Sequence, residues 1–156
     1  MSSDPRAAAL RYLGDHNVMT VATSGPEGLW AAAVFYANED FTLYFLSAPH
    51  TRHATNIRAE PRVAATIQED YREWSAIKGI QLEGVASALN GEAMQRAIEV
   101  FTAKYPFVVA QLGPPEQEIA GAMRGIRWYR LVPDRLYFVD NSKGLGHRDE
   151  IPLAAP

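Results

Sequence analysis

The 156-residue chain contains no cysteine. Disulfides, thiolate nucleophiles, iron–sulfur clusters and Cys-based zinc sites are therefore excluded, and the composition fits a reducing compartment. No strong charge of either sign is present: 15 Lys and Arg stand against 18 Asp and Glu, for a net −3. A dedicated nucleic-acid binder shows a basic stripe. Here the cations are scattered, apart from the trio Arg124, Arg127 and Arg130. The longest apolar run, residues 29–37, is far short of the roughly 20 residues that span a bilayer. The opening stretch "MSSDPRAAALRYLGDH" has neither a basic leader nor an apolar core, so it does not read as a signal peptide. G-x-G-x-x-G after a strand, the P-loop and G-x-S-x-G are all missing. The expectation is a soluble, cytoplasmic protein that meets neither nucleic acid nor membrane.

With 47% hydrophobic and 21% charged residues, the chain has an ordinary globular balance and is long enough to bury a core without staples. One domain is expected over 1–156, with an N-terminal helix in 1–16 and an irregular tail in 141–156. Asp4 followed by Pro5 is a helix start, and Gly14 is a stop. Strands are read at Val18–Ser24, Leu29–Ala37 and Phe41–Ser47, separated by the turns "GPEG" and "NED" and forming a meander. A helix follows from His50 to Glu60, stopped before Pro61. Further strands are read at Arg62–Asp70 and Ala76–Leu89, the latter with Ile80, Leu82 and Val85 inward and a bulge near Gly84. Asn90 opens a helix through Lys104, on which Ala93, Ala97, Val100 and Phe101 keep helical spacing. "QLGPPEQEIAGAM" is read as a loop. The strand Gly125–Asp140 is interrupted at Pro133, which implies an edge or a bulge. Sequential antiparallel strands with few crossover helices indicate a mainly β fold with flanking helices, a closed or nearly closed antiparallel barrel.

The most informative stretch is "FLSAPHTRHATNIRAEP", residues 45–61. A strand ends at Ser47, and Thr51, Arg52 and His53 open a helix. A hydroxyl, a guanidinium and an imidazole at a helix start are the chemistry of an anion site. His50 and His53 form an H-x-x-H pair, which without a third ligand does not make a metal site.

Four stretches together resemble the FMN-binding split barrels related to pyridoxamine phosphate oxidase: "LWAAAVFY", "LYFLSAPHTRHATNIRAEPRVAATI", "GIQLEGVA" and "RLVPDRLYFVDN". The second is the most specific. The tail "DNSKGLGHR" further resembles a small bacterial branch of that family. The resemblance implies an antiparallel split β-barrel and a homodimer whose flavin site lies at the subunit interface. It implies that Ser47, Thr51, Arg52 and His53 hold the ribityl phosphate, His53 standing where the family has Lys. It implies that the ring lies along Ala31, Ala32, Ala33 and Val34, with Trp74 and Gln81 contributed by the partner. FMN is the expected cofactor, and a flavin-dependent oxidoreductase acting on a small-molecule substrate is the expected function. The alternatives are a non-enzymatic flavin- or haem-binding protein, the latter with His147 as axial ligand, and a deazaflavin-dependent reductase.

Overall fold

The computed structural model describes residues 4–108 and 125–153. The expected loop at 111–123 and Arg124 lie outside the described residues. Helix α1 (Pro5–Asp15) starts as its sequence requires: the Asp4 side chain accepts from the Arg6 N–H, and Pro5 occupies the first turn. Eight strands then build one sheet: β1 (Val18–Gly25), β2 (Gly28–Phe35), β3 (Ala37–Glu39), β4 (Thr42–Ser47), β5 (Arg62–Gln68), β6 (Lys78–Ala88), β7 (Arg127–Asp140) and β8 (Arg148–Glu150). Helix α2 (Arg52–Ala59) lies between β4 and β5, and α3 (Gly91–Lys104) follows β6. The strand order is β2-β1-β5-β6-β7-β4-β3, with β8 paired to β7, and every pairing is antiparallel. The sheet curls into a half-barrel flanked by helices, as expected.

The first three strands do not form the expected meander. β2 pairs β1 through the Gly25–Gly28 turn, but β4 pairs β7 and not β2. The break is at Tyr36. Its ring is fully buried, its hydroxyl donates to the Leu13 carbonyl (2.7 Å), and its N–H bonds the Asn17 carbonyl (2.9 Å). Pinned from both sides, the chain bends there, and residues 37–39 become a separate strand running back along β4. β2 and β4 therefore approach each other without pairing and leave a seam in the barrel.

The bulge also sits differently. Glu83 faces Arg135 and Gly84 faces Pro133, so the extra residue is Asp134, on β7. β6 consequently keeps its alternation: Ile80, Leu82, Gly84 and Ala86 point inward, and Val85 faces out. Pro133, which has no N–H to donate, falls in the gap between the segments of β7 that pair with β4 and with β8.

Two apolar clusters result. One fills the barrel, with Met19, Val21, Phe45, Ile67, Leu131 and Leu136 among its members. The other joins α3 to the outside of β4 and β7 through Ala97, Phe101, Tyr44 and Trp128, with Ala93 and Val100 packed at its edge. Fully burying one such Leu, Ile or Phe side chain contributes about 1.5–3 kcal/mol.

The tail is not irregular throughout. Asp140 accepts from the N–H and hydroxyl of Ser142 (3.0 and 2.6 Å), β8 pairs with Tyr137–Val139, and Ile151 is buried. No helix among the described residues is long and apolar enough to cross a membrane.

Candidate functional site

The seam between β2 and β4 opens into a cleft of about 430 Å³. Ala33, Val34 and Phe35 of β2 form one wall. Leu46, Ser47 and His53 form the end nearest α2, and Phe101, Tyr105, Phe107 and Val108 close the far side. Tyr105 is held in place by its hydroxyl, which donates to the carbonyls of Tyr36 (2.5 Å) and Asn17 (3.1 Å). Burial pushes that phenol up to about 12, so it stays a donor at any physiological pH.

The polar end is built by the start of α2. Thr51 is its N-cap and accepts from the Ala54 N–H (3.3 Å), while its own hydroxyl hydrogen goes to the Ala48 carbonyl (2.9 Å). The Ser47 hydroxyl lies 2.6 Å from His53 Nε2 and 3.2 Å from the Thr51 hydroxyl, and the Thr51–His53 separation is 3.3 Å. Ser47 and His53 are both buried. The first-turn N–H groups of Arg52 and His53 have no carbonyl within the helix to bond, as at every helix start. Asn56 fixes the helix to the barrel by donating to the Thr23 hydroxyl (3.0 Å), both groups being buried. Gly25 makes the room: a Cβ there would lie 2.0 Å from Asn56 Oδ1.

Arg52 leaves this cluster sideways. Its guanidinium donates to the carbonyls of Glu27 (3.1 Å) and Leu29 (3.4 Å) and stacks 4.4 Å over the Trp30 ring. Its Nε is buried with no partner. An unsatisfied buried donor costs about 1–3 kcal/mol, but protein atoms enclose this one and Arg52 does not line the cleft. The groups at the cleft that suit a phosphate are Ser47, His53 and the first-turn amides of α2.

Burial lowers the pKa of His53, so the imidazole is neutral in the free protein. The folded value lies below the unfolded value of about 6.5, and the unfolded state therefore takes up the proton first as pH falls. This contribution to stability is complete above pH 6.5 and is lost as pH drops through the folded value. The thermal midpoint of the ligand-free protein is expected to fall between pH 7.5 and 5.5, and less so in His53→Gln, measured by circular dichroism. An equal drop in both proteins would remove His53 as the cause.

The other expected site residues separate. Ala33 and Val34 line the cleft, whereas Ala32 packs inward against the barrel core and Ala31 lies exposed on the outer face. Trp74 is largely exposed beside Ser75, Asn141 and Leu145, in a different pocket. Gln81 sits on the outer face of β6, where its Oε1 accepts from Arg148 (3.3 Å). His147 belongs to the tail: its carbonyl accepts from the Asp140 N–H (3.0 Å), and its Nε2 lies 3.2 Å from Asp149. Asp140 and the Ser47 partner Arg127 are at opposite ends of the 14-residue β7, roughly 40 Å of strand at 3.3 Å per residue. Phe35, Leu46, Tyr105 and Phe107 line the cleft without having been singled out. The aromatic density of "FTAKYPF" was the available signal.

A half-barrel with an open seam, one polar end of which is a helix start, defines the split-barrel class. The profile of the pyridoxamine 5'-phosphate oxidase family matches residues 6–140, and the chain belongs to that family. A UPF0306 protein of Klebsiella pneumoniae is 30% identical over 147 residues, covering 93% of this chain and 91% of its own. Solved structures that share the fold include two haem-related proteins. A haem-binding protein from Mycobacterium smegmatis superposes with a TM-score of 0.74 at 20% identity, over 97% of this chain and 59% of that one. HutZ, the haem storage protein of Vibrio cholerae, gives 0.72 at 17% identity, over 93% and 100%.

Proposed function

We propose that this protein binds FMN in the seam cleft as a homodimer and acts as a flavin-dependent oxidoreductase on a small molecule. The observation that carries the reading is the junction of an apolar cleft with the Ser47–Thr51–His53 cluster at the start of α2. When bound, FMN supplies hydride or electron transfer at its ring. The chain supplies the rest. Ser47, Thr51, Arg52 and the first-turn amides hold the phosphate, Ala33 and Val34 admit a flat ring along β2, and the aromatic side excludes water. A phosphate dianion also favours the imidazolium form of His53, which then adds a charge to the cage. A cytoplasmic location goes with this reading.

The outer face of β1, β2 and β5 supports the dimer. Val18 faces Phe35, and Ala22 sits between Ala31 and Ala64 in register. All five are exposed, with Thr20 and Thr66 between them and the long polar side chains Arg62 and Gln68 at the β5 margin. An exposed apolar surface of this kind marks an interaction site, and a second copy is the proposed occupant. Trp74 and Gln81, remote from their own cleft, would then serve that of the partner. Val18→Asp is expected to give monomers in sedimentation velocity at a concentration where the parent is dimeric, with FMN binding weakened. A variant that stays dimeric would move the interface elsewhere.

The two haem-related structures favour a second reading, haem storage on the same barrel. Titration of the purified protein with FMN, riboflavin and haem separates the readings. FMN binding at least ten times tighter than riboflavin supports the phosphate cage. A Soret band with no FMN binding would replace the flavin reading, and His147 of a second subunit would become the ligand to mutate.

A further inference from the structure

A second cleft, of about 370 Å³, lies on the other face of α2 and shares no lining residue with the seam cleft. Ala54 and Ile57 of α2, Ala86 of β6 and Tyr129 of β7 form its buried apolar floor. Tyr129 is braced from behind by Phe45, with ring centroids 5.1 Å apart and planes 12° from parallel. Arg58 and Arg127 stand on the rim, both exposed. Burial raises the Tyr129 phenol, and the charges of Arg58 and Arg127 both act to lower it.

Among the described residues the charge of this cleft is uncompensated, and no Asp or Glu of theirs lines it. Arg6, Arg62 and Arg96 each meet a carboxylate, but among the described residues neither Arg58 nor Arg127 forms an ion pair. Arg58 makes one long hydrogen bond, to the Pro49 carbonyl at 3.5 Å, and its position in the last turn of α2 suits the helix dipole. That role accounts for one cation at this end of the helix and leaves Arg127 unexplained. Arg127 and Arg130 are part of one basic cluster in sequence, yet three residues apart on a strand they face opposite ways, and only Arg127 reaches this cleft.

We infer that the cleft between α2 and the β6–β7 pair is a second binding site, taking a small organic anion whose carboxylate or phosphate lies between Arg58 and Arg127 and whose flat apolar body rests on Ile57, Ala86 and Tyr129. A volume of this size accepts a single ring. Two guanidiniums supply forked donors that match a carboxylate or phosphate better than a neutral ligand. The site stands whether or not FMN occupies the seam. The two are separated by about 7.5 Å of rise along α2, from His53 to Arg58, at 1.5 Å per residue.

The test follows the methyl resonances of Ala54, Ile57 and Ala86 in the full-length protein during titration with benzoate, phenyl phosphate and benzyl alcohol. Saturable shifts with either anion, absent with benzyl alcohol at the same concentration, are expected. The tighter of the two anions names the acid group. Arg58→Gln/Arg127→Gln is expected to weaken anion binding at least tenfold while leaving the remaining methyl spectrum and the FMN affinity unchanged. Equal binding of benzyl alcohol, anion affinity unaltered in the double variant, no saturation with either anion, or shifts confined to residues around Ser47 and His53 would each overturn the site.

Discussion

Arg52→Ala is expected to weaken FMN binding by about 1.5–3 kcal/mol, the range for a hydrogen bond to a charged group, which is roughly 10- to 150-fold. Riboflavin affinity should be unchanged. Arg52 already spends Nη2 on the Glu27 and Leu29 carbonyls and its face on Trp30, which holds the side chain in one place. The riboflavin control is decisive because Arg52 also bonds the β1–β2 turn, and a merely structural effect of truncation would weaken both flavins equally. Arg52→Lys should recover only part of the affinity, since an ammonium cannot both hold the Glu27 and Leu29 carbonyls and stack on Trp30 as the guanidinium does. FMN affinity unaltered in Arg52→Ala would remove the phosphate assignment.

Gly84→Val is expected to destabilise the protein by about 3 kcal/mol, at or beyond the upper end of ordinary overpacking. A Cβ at Gly84 would stand 2.2 Å from the Val132 carbonyl oxygen and 2.8 Å from Pro133 Cα. Both are backbone atoms of the strand paired with it, so no rotamer change relieves the contact. The bulge at Asp134 and the close approach of Gly84 are one feature, and a side chain there must push β7 away from β6. The neighbouring change Val85→Thr, on the exposed face, should cost less than 0.5 kcal/mol. Urea unfolding of the two variants measures the difference. A Gly84→Val midpoint equal to that of the parent would show that β7 can shift without loss.

Two helix starts were legible, to within two residues, because they depend on neighbours in sequence. Asp4 and Thr51 cap their helices through bonds to residues two and three positions on, and such local geometry is written in the order of side chains. The strands were legible for the same reason, through β-branched runs and turn residues. Strand pairing was not. Leu29–Ala37 reads as one strand, and only the anchoring of Tyr36 by Leu13 and Asn17 divides it. Likewise Val85 reads as a core position if the bulge is placed on its own strand, and it turns outward because the extra residue lies on the partner.

The same division holds at the site. Ser47, Thr51 and His53 were expected together and are together, within 3.3 Å of one another, since a strand end and the first helical turn six residues on are held close by the chain itself. Tyr105 and Phe107 reach the cleft from some seventy residues beyond β2 only because α3 packs across the sheet through Ala97 and Phe101.

The sequence by itself determined the strand and helix content and the caps of α1 and α2 at Asp4 and Thr51, because these rest on interactions between near neighbours along the chain; Gly14, read as a stop, lies inside α1, and Asn90 makes no side-chain cap bond. Tertiary structure alone decided that β2 and β4 stay unpaired, that the tail supplies an eighth strand, and that Arg58 and Arg127 share a cleft. Those outcomes depend on contacts between distant segments, where the competition between alternative pairings is settled by which apolar surfaces the whole chain can bury at once.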